Sequence, residues 1–267
     1  MTSSHRPSPY PLSANLEWLF TEAGPHLGDR IRAAAGHGIR HAEMWTWRSK
    51  DMEGIETALR DTGVVLQTMC TEPMGRLVDP GTHPAFLAGL AESAPLAGRL
   101  GCPYLVVTAG DALPGVPRET QHAAVVDALR AAATVLADHD VTLLLENLNS
   151  RVDHVGTFLD STAEVVQVLR AVGSPRVALL YDAYHSLVMQ ERPEVVLDGA
   201  TDLLRHVQIA DAPGRAEPGS GALDWAHELA VLHRLGYQGP LGLEYRPTGR
   251  TEESLVEIAE LTSGVAA

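Results

Sequence analysis

Short apolar runs alternate with longer amphipathic ones along this chain. Eight of the short runs qualify as strands: Leu12–Leu16, Ile39–Trp45, Val64–Met69, Tyr104–Thr108, Val141–Glu146, Val177–Asp182, His206–Ala210 and Leu241–Tyr245. Strands of this kind separated by helical patterns predict βα units of a parallel sheet. In Gln121–Asp138, apolar Ala124, Val125, Ala128, Leu129, Ala132, Val135 and Leu136 recur at three- and four-residue steps, as one buried helix face requires. Ser161-Thr162-Ala163-Glu164 ahead of Val165 is a capping-box pattern that sets a helix start after the fifth strand. Gly63, Gly101, Gly173 and Gly236 stand between helical stretches and strands, where left-handed C-caps are wanted. Eight strand and helix pairs with no shift in composition predict a closed (β/α)8 TIM barrel, one domain over residues 12–267, with active groups at the C-terminal ends of its strands. An open doubly wound sheet is the runner-up, but the chain lacks the GxGxxG or Walker pattern that such a sheet would carry after an early strand. Residues 1–11, rich in Ser and Pro and without the apolar core of a signal peptide, are expected to form a flexible lead-in.

The polar residues that close four of these runs change the picture. Glu146, Asp182, Gln208 and Glu244 follow one another at intervals of 36, 26 and 36 residues, each about one strand, one helix and two loops. Side-chain alternation puts Glu146 on the face of Leu144, Asp182 on that of Leu180, Gln208 on that of His206 and Glu244 on that of Gly242. A lone acidic residue ending a strand is usually a helix cap or loop anchor. Four at unit-repeat spacing are harder to explain so, because buried oxygens are costly unless something binds them. Such a hard, oxygen-rich set suits Mg²⁺ or Mn²⁺ better than a structural zinc site, with Co²⁺ or Zn²⁺ as alternatives. His206 competes with Gln208 for the third position.

The chemistry such a site supports is proton transfer next to a carbonyl. A divalent ion polarises an α-hydroxy carbonyl compound and stabilises the enediolate left when a proton departs. Glu146 and Glu244, set across the barrel from one another, are the natural pair to take and return that proton. His185, three residues after Asp182, and Arg215, in the Pro- and Gly-rich loop 211–221, would share the developing oxyanion charge. Trp45, Trp47 and Cys70, at strand ends, are candidates for the pocket wall.

Composition narrows the partners. In 267 residues with 45% apolar content, no run reaches the roughly 18 apolar residues of a membrane span. A net charge of −14 opposes nucleic-acid backbones and anionic membranes, leaving a small hydroxy-carbonyl molecule as the expected ligand. Cys70 ends one strand and Cys102 precedes another, so the barrel separates them too far for a disulfide and a reducing cytoplasm is expected.

Segments Leu12–Phe20, Leu145–Asn149, Tyr181–His185, His206–Asp211 with Gly214–Gly221, and Gly242–Tyr245 closely resemble the hydroxypyruvate isomerase family. That family lies within the xylose-isomerase-like barrel superfamily, which also holds 2-oxotetronate isomerases and ketose 3-epimerases. The resemblance implies metal ligation by Glu146, Asp182, Gln208 and Glu244, proton transfer by the two glutamates, and substrate contacts at His185 and Arg215; Glu217 of the same loop and Trp45 complete the expected substrate-binding set. It favours Gln208 over His206, and a homodimer would be in keeping with barrels of this kind. Three departures concern the rim: Cys70-Thr71-Glu72-Pro73 replaces the family's Gly-Asp-Trp loop, Glu146-Asn147 replaces Glu-Pro, and Gly221-Ala222 replaces Gly-Glu. Epimerisation is an alternative on the same barrel, as is dehydration with His154 or Glu72 as acid. The DNA-repair endonucleases of the superfamily fit poorly with the charge, and a non-catalytic binder fits poorly with retention of both glutamates.

Overall fold

A computed structural model describes residues 10–263. Strands and helices alternate as β1 (Leu12–Asn15), α1 (Leu27–Gly36), β2 (His41–Glu43), α2 (Met52–Thr62), β3 (Val65–Cys70), α3 (His83–Leu100), β4 (Tyr104–Val107), α4 (Arg118–Val135), β5 (Thr142–Glu146), α5 (Thr162–Val172) and β6 (Val177–Asp182). The short α6 (Ala183–Val188) and α7 (Pro193–Val196) lead to β7 (Leu204–Ile209), then α8 (Trp225–Arg234), β8 (Leu241–Leu243) and α9 (Thr251–Ser263). The strands close in chain order into one parallel barrel, β8 pairing with β1 through Leu12↔Leu241 and Ala14↔Leu243. The expected (β/α)8 barrel is therefore the observed fold. Most of the lead-in lies outside the described residues; at its end Tyr10 is buried, and the Pro11 carbonyl accepts the amide of Leu241 at 2.9 Å.

Local signals acted where the sequence placed them. Gly63, Gly101 and Gly173 are left-handed C-caps, with φ of 68°, 67° and 66°. Ser161 caps α5 by accepting the Glu164 amide, but the Glu164 carboxylate pairs with Arg118 of α4 instead of returning to the cap. Half of the capping box is thus spent on joining two helices. Cys70 and Cys102 are both free and buried. No helix among the described residues is long and apolar enough to cross a membrane.

Two layers of core hold the barrel. The larger lies between sheet and helices, where the outward faces of the strands, such as Leu143, Leu145, Leu179 and Val207, meet the apolar helix stripes. Inside the barrel, one side is apolar, formed by Cys70, Val106, Leu144, Ala178 and Leu180. The other side is polar: Ser13, Glu43, Thr68 and His206 are all buried. Glu43 accepts from His206 Nε2 at 2.9 Å and Gln208 Nε2 at 2.9 Å, with Thr68 Oγ1 at 3.4 Å. Burial opposes ionisation of Glu43, but the neighbouring His206 ring and the surrounding donors outweigh it and hold the carboxyl below its ordinary value. Gly242 makes room for this group, since a Cβ there would lie 2.4 Å from Glu43 Oε1 and 2.8 Å from His206 Nε2.

A second buried carboxylate stands behind the sheet. Tyr181, outward on β6, donates its hydroxyl to Glu228 Oε1 of α8 at 3.0 Å, while Glu228 Oε2 has no partner. Burial pushes Glu228 from 4.5 up to about 8. Between those values the folded chain holds a proton that the unfolded chain has released, so stability falls as pH rises through this window, by up to about 1.4 kcal/mol per pH unit. Glu228→Gln is expected to flatten that dependence. Thermal melts from about pH 5 to pH 8 should show the wild type losing more stability than the variant, and parallel curves would refute the assignment.

Candidate active site

The C-terminal ends of the strands open into a cavity of about 430 Å³, within the size range of small-molecule sites. Glu146, Gln208, Arg215, Glu244 and Trp45 line it. Asp182 and His185, both fully buried or nearly so, are not among the lining residues but reach them, Asp182 through Arg215 and His185 beside Glu146. Glu146, Asp182 and His185 can each bring one ligand atom within 4.8 Å of the others.

Each acidic group is held by a different device. Asp182 ends β6 and caps α6, its Oδ1 accepting the His185 amide at 3.1 Å. Asn147, just past β5, accepts the Asp182 amide and donates to the Asp182 carbonyl, both at 3.0 Å. This side chain extends the β5–β6 pairing by one more rung. Glu244 follows β8 and receives Asn15 Nδ2 at 3.0 Å, Trp45 Nε1 at 2.7 Å and Arg215 at 2.7 Å. Trp45 therefore touches Glu244 directly and walls the cavity. Glu146 and Glu244 belong to strands three places apart around the ring, so they flank the mouth obliquely instead of standing diametrically opposite.

Arg215 is the cation at the centre of this arrangement. It reaches Asp182 Oδ2 at 3.2 Å and Glu244 Oε2 at 2.7 Å and lies over the rings of Trp18 and Tyr184. Its backbone is left-handed at φ 54°, and the loop around it is tied by Asp211, which accepts amides from Ala212, Gly219 and Leu223.

Burial is the first cause of the unusual acidities. It raises Glu146 well above the ordinary range, and the charges of Glu244 and Asp182 push the same way. It raises Asp182 to about 7 against the pull of Arg215, and it raises Glu244 against the same pull. Burial also drives His185 well below its ordinary value, helped by Arg215, so its ring is neutral.

Hydrogen bonding selects the His185 tautomer. Asn149 Oδ1 accepts the amides of Val152 and Asp153, so its Nδ2 is the atom that faces His185 Nδ1 at 2.7 Å. With Nδ1 an acceptor, the ring hydrogen sits on Nε2, 3.4 Å from Asp182 Oδ2 and 3.9 Å from Glu146 Oε1. A protonated Nε2 is a donor and has no lone pair for a cation. A divalent ion fits the oxygens better: three carboxylates face one arginine, and Gln208 Oε1 is a buried acceptor without a partner.

The structure brings seven of the eight expected residues together. Glu217 is the exception: it is buried away from the cavity lining, and its carboxylate receives the Thr248 amide at 3.0 Å and the Thr248 hydroxyl at 2.5 Å. It braces the seventh loop against the eighth, because a loop residue's direction is set by the turn and not by strand parity. His206 is one layer deeper than Gln208 and turned to Glu43, so it does not compete for the cavity. Asn15, Glu43, Trp18, Asn147 and Asn149 also hold the site groups, although no spacing or motif marks them as working residues. Glu43 does carry a usable signal: it is a polar residue between apolar Ala42 and Met44, much as Glu146, Asp182, Gln208 and Glu244 stand at the ends of their apolar runs.

Comparison with known proteins agrees with the geometry. The profile described as Xylose isomerase-like TIM barrel matches residues 31–261. A human protein provisionally named hydroxypyruvate isomerase is 34% identical over 260 residues, spanning 93% of this chain and 94% of its own. Hydroxypyruvate isomerase of Escherichia coli K12 is 30% identical over 251 residues, spanning 91% and 96%. A Brucella melitensis crystal structure titled AP endonuclease, family 2 superposes with a TM-score of 0.86 at 29% identity, covering 94% of this chain and 98% of that one. The chain belongs to the xylose isomerase-like TIM barrel family, among its hydroxypyruvate isomerase relatives, and is an isomerase.

Proposed function

We propose that this isomerase is divalent-metal-dependent and interconverts small α-hydroxy carbonyl acids of the hydroxypyruvate or 2-oxotetronate kind by proton transfer between two glutamates. The observation that carries the reading is the convergence of Glu146 and Glu244 on one cavity with Gln208 and the countercharge Arg215, which also pairs with Asp182. Glu146, Asp182, Gln208 and Glu244 would hold the ion, Mg²⁺ or Mn²⁺ by the hardness of the donors. When bound, it would polarise the substrate carbonyl and offset the charge of the enediolate.

The chain's own groups account for the rest. Burial and like charge make Glu146 more basic than a surface carboxylate, which suits it to take up a proton. Glu244, fixed by Asn15, Trp45 and Arg215, stands on another side of the cavity to serve the second carbon. His185 Nε2–H and Arg215 would donate to the oxygen on which charge develops. The cation stacked at the rim, Arg246 over Trp18, suits an acid better than a neutral sugar.

Two other chemistries are less well supplied. Glu72, the second candidate acid for dehydration, points its carboxylate at the amides of Trp47 and Arg48 and is absent from the cavity lining, which leaves only His154 there. Phosphodiester cleavage would need DNA to approach a chain of net charge −14.

Metal-loaded protein in deuterated water, offered hydroxypyruvate, 2-oxotetronates and small ketoses, is expected to put deuterium into the first two. Glu146→Gln and Glu244→Gln should each lose at least about 100-fold of that exchange while keeping the folded circular-dichroism spectrum. Undiminished exchange in both variants would sink the mechanism, and a product lighter by one water would replace isomerisation with dehydration. Stripping with EDTA and restoring Mn²⁺ is a separate check. Mn²⁺ at about 100 times its dissociation constant should stabilise the chain by about 2.7 kcal/mol, and an unmoved melting temperature would remove the ion from the proposal.

A further inference from the structure

The buried Glu43 has no place in the proton-transfer scheme, yet the hydrogen bonds around it run in one direction. Its Oε1 takes His206 Nε2 and its Oε2 takes Gln208 Nε2, each at 2.9 Å. An ionised carboxylate can only accept, so the Gln208 amide has one allowed orientation, with NH₂ toward Glu43. Its oxygen is then the atom left over, buried and without a partner, on a residue that lines the cavity with Glu146 and Glu244. Gly242 leaves the space the three side chains need: a Cβ there would come within 2.8 Å of Gln208 Cγ as well as striking Glu43.

We propose that Glu43 is a positioning residue that locks the Gln208 side chain with its carbonyl oxygen toward the cavity, so that a divalent ion meets an acceptor there and never the amide nitrogen. The inference rests on the metal-dependent reading above. Its physical content is an orientation. An amide free to turn over can present its NH₂, and a donor hydrogen facing a cation is repulsive. His206 matters because it occupies the other oxygen and keeps the Glu43 carboxylate from rotating out of reach.

Glu43→Gln tests this without removing volume. While the His206 hydrogen stays on Nε2 it keeps the oxygen of the new amide, a tautomer that the ring's nitrogen-15 spectrum reads directly in the variant, so the new NH₂ is what meets Gln208. The Gln208 amide must then reverse and turn its own NH₂ toward the cavity. Mn²⁺ affinity, measured calorimetrically on EDTA-stripped protein, is expected to fall at least about 10-fold, as for other partners that orient metal ligands. Gln208→Ala should lose a comparable factor, and adding Glu43→Gln to Gln208→Ala should change nothing further, because the two act through one atom. Melting of the metal-free proteins monitors the fold independently. Glu43→Asp keeps the charge and shortens the reach; taken through the same cycle, it covers a Glu43→Gln chain that does not fold. Equal weakening in both backgrounds would mean that Glu43 acts through its charge or through the fold, and the proposal fails. Unchanged affinity in folded Glu43→Gln also overturns it, while leaving the metal reading intact. A wild type that takes no Mn²⁺ overturns both.

Discussion

Three carboxylates brought to one point are the constraint around which the mouth of this barrel is organised. Unit charges 4 Å apart repel by about 4 kcal/mol at an effective dielectric constant of 20, and Glu146, Asp182 and Glu244 are all buried enough for burial to raise their affinity for protons. The chain answers with Arg215 between Asp182 and Glu244, held on a left-handed backbone that an L-residue adopts only under constraint. Asp211 supplies that constraint by gathering three amides of the loop. Asn15 and Trp45 add neutral donors to Glu244 without adding charge. The site is thus partly satisfied and still acidic, the condition in which a cation or a proton is taken up readily.

The barrel was legible because its punctuation and its parity are local properties. β6 is reproduced residue for residue, since Val177–Asp182 is buried on both faces and reads as one apolar run. β7 begins two residues before the expected His206, because half-buried Arg205 interrupts the apolar pattern at the foot of the strand and the ladder shifts register there against β6. β2 is shorter than Ile39–Trp45, with a register shift at Ala42 and Glu43 that frees Trp45 to turn toward Glu244. Alternation puts Glu146 and Asp182 on inward faces, but it puts His206 and Gln208 on one face together, and only the resemblance favours Gln208. Arg215 and Glu217, two residues apart in one loop, could not be told apart that way, and only the folded loop sends one inward and the other to Thr248.

The departures from the family's pattern now have physical content. A proline after Glu146 could not do what Asn147 does, because the asparagine amide both donates to and accepts from the backbone of Asp182. The end of β6, and with it the cap on α6 that carries His185, is therefore set by a side chain of the neighbouring strand. The seventh loop, with Ala222 where the resemblance leads one to expect glutamate, ties itself through Asp211 and braces on the eighth loop through Glu217. The altered rim is accordingly as tightly hydrogen-bonded as the retained centre, which argues for a reshaped pocket and against a decayed one.

Hydrogen-bond direction decides more here than distance. Asn149 has its oxygen committed to two amides, so it offers His185 a donor and fixes the ring hydrogen on the nitrogen that faces the carboxylates. Proximity alone groups His185 with Glu146 and Asp182 as a metal cluster. The tautomer removes it from that cluster and makes it a donor instead. Glu43 imposes the complementary choice on Gln208 by accepting its NH₂. In both cases an acid or amide behind the site dictates which atom of the next residue the cavity sees. In the proposed metal-dependent mechanism a cation and a developing oxyanion would share the same few ångströms, which calls for acceptors and donors on assigned sides, and side chains that could turn over would mix them.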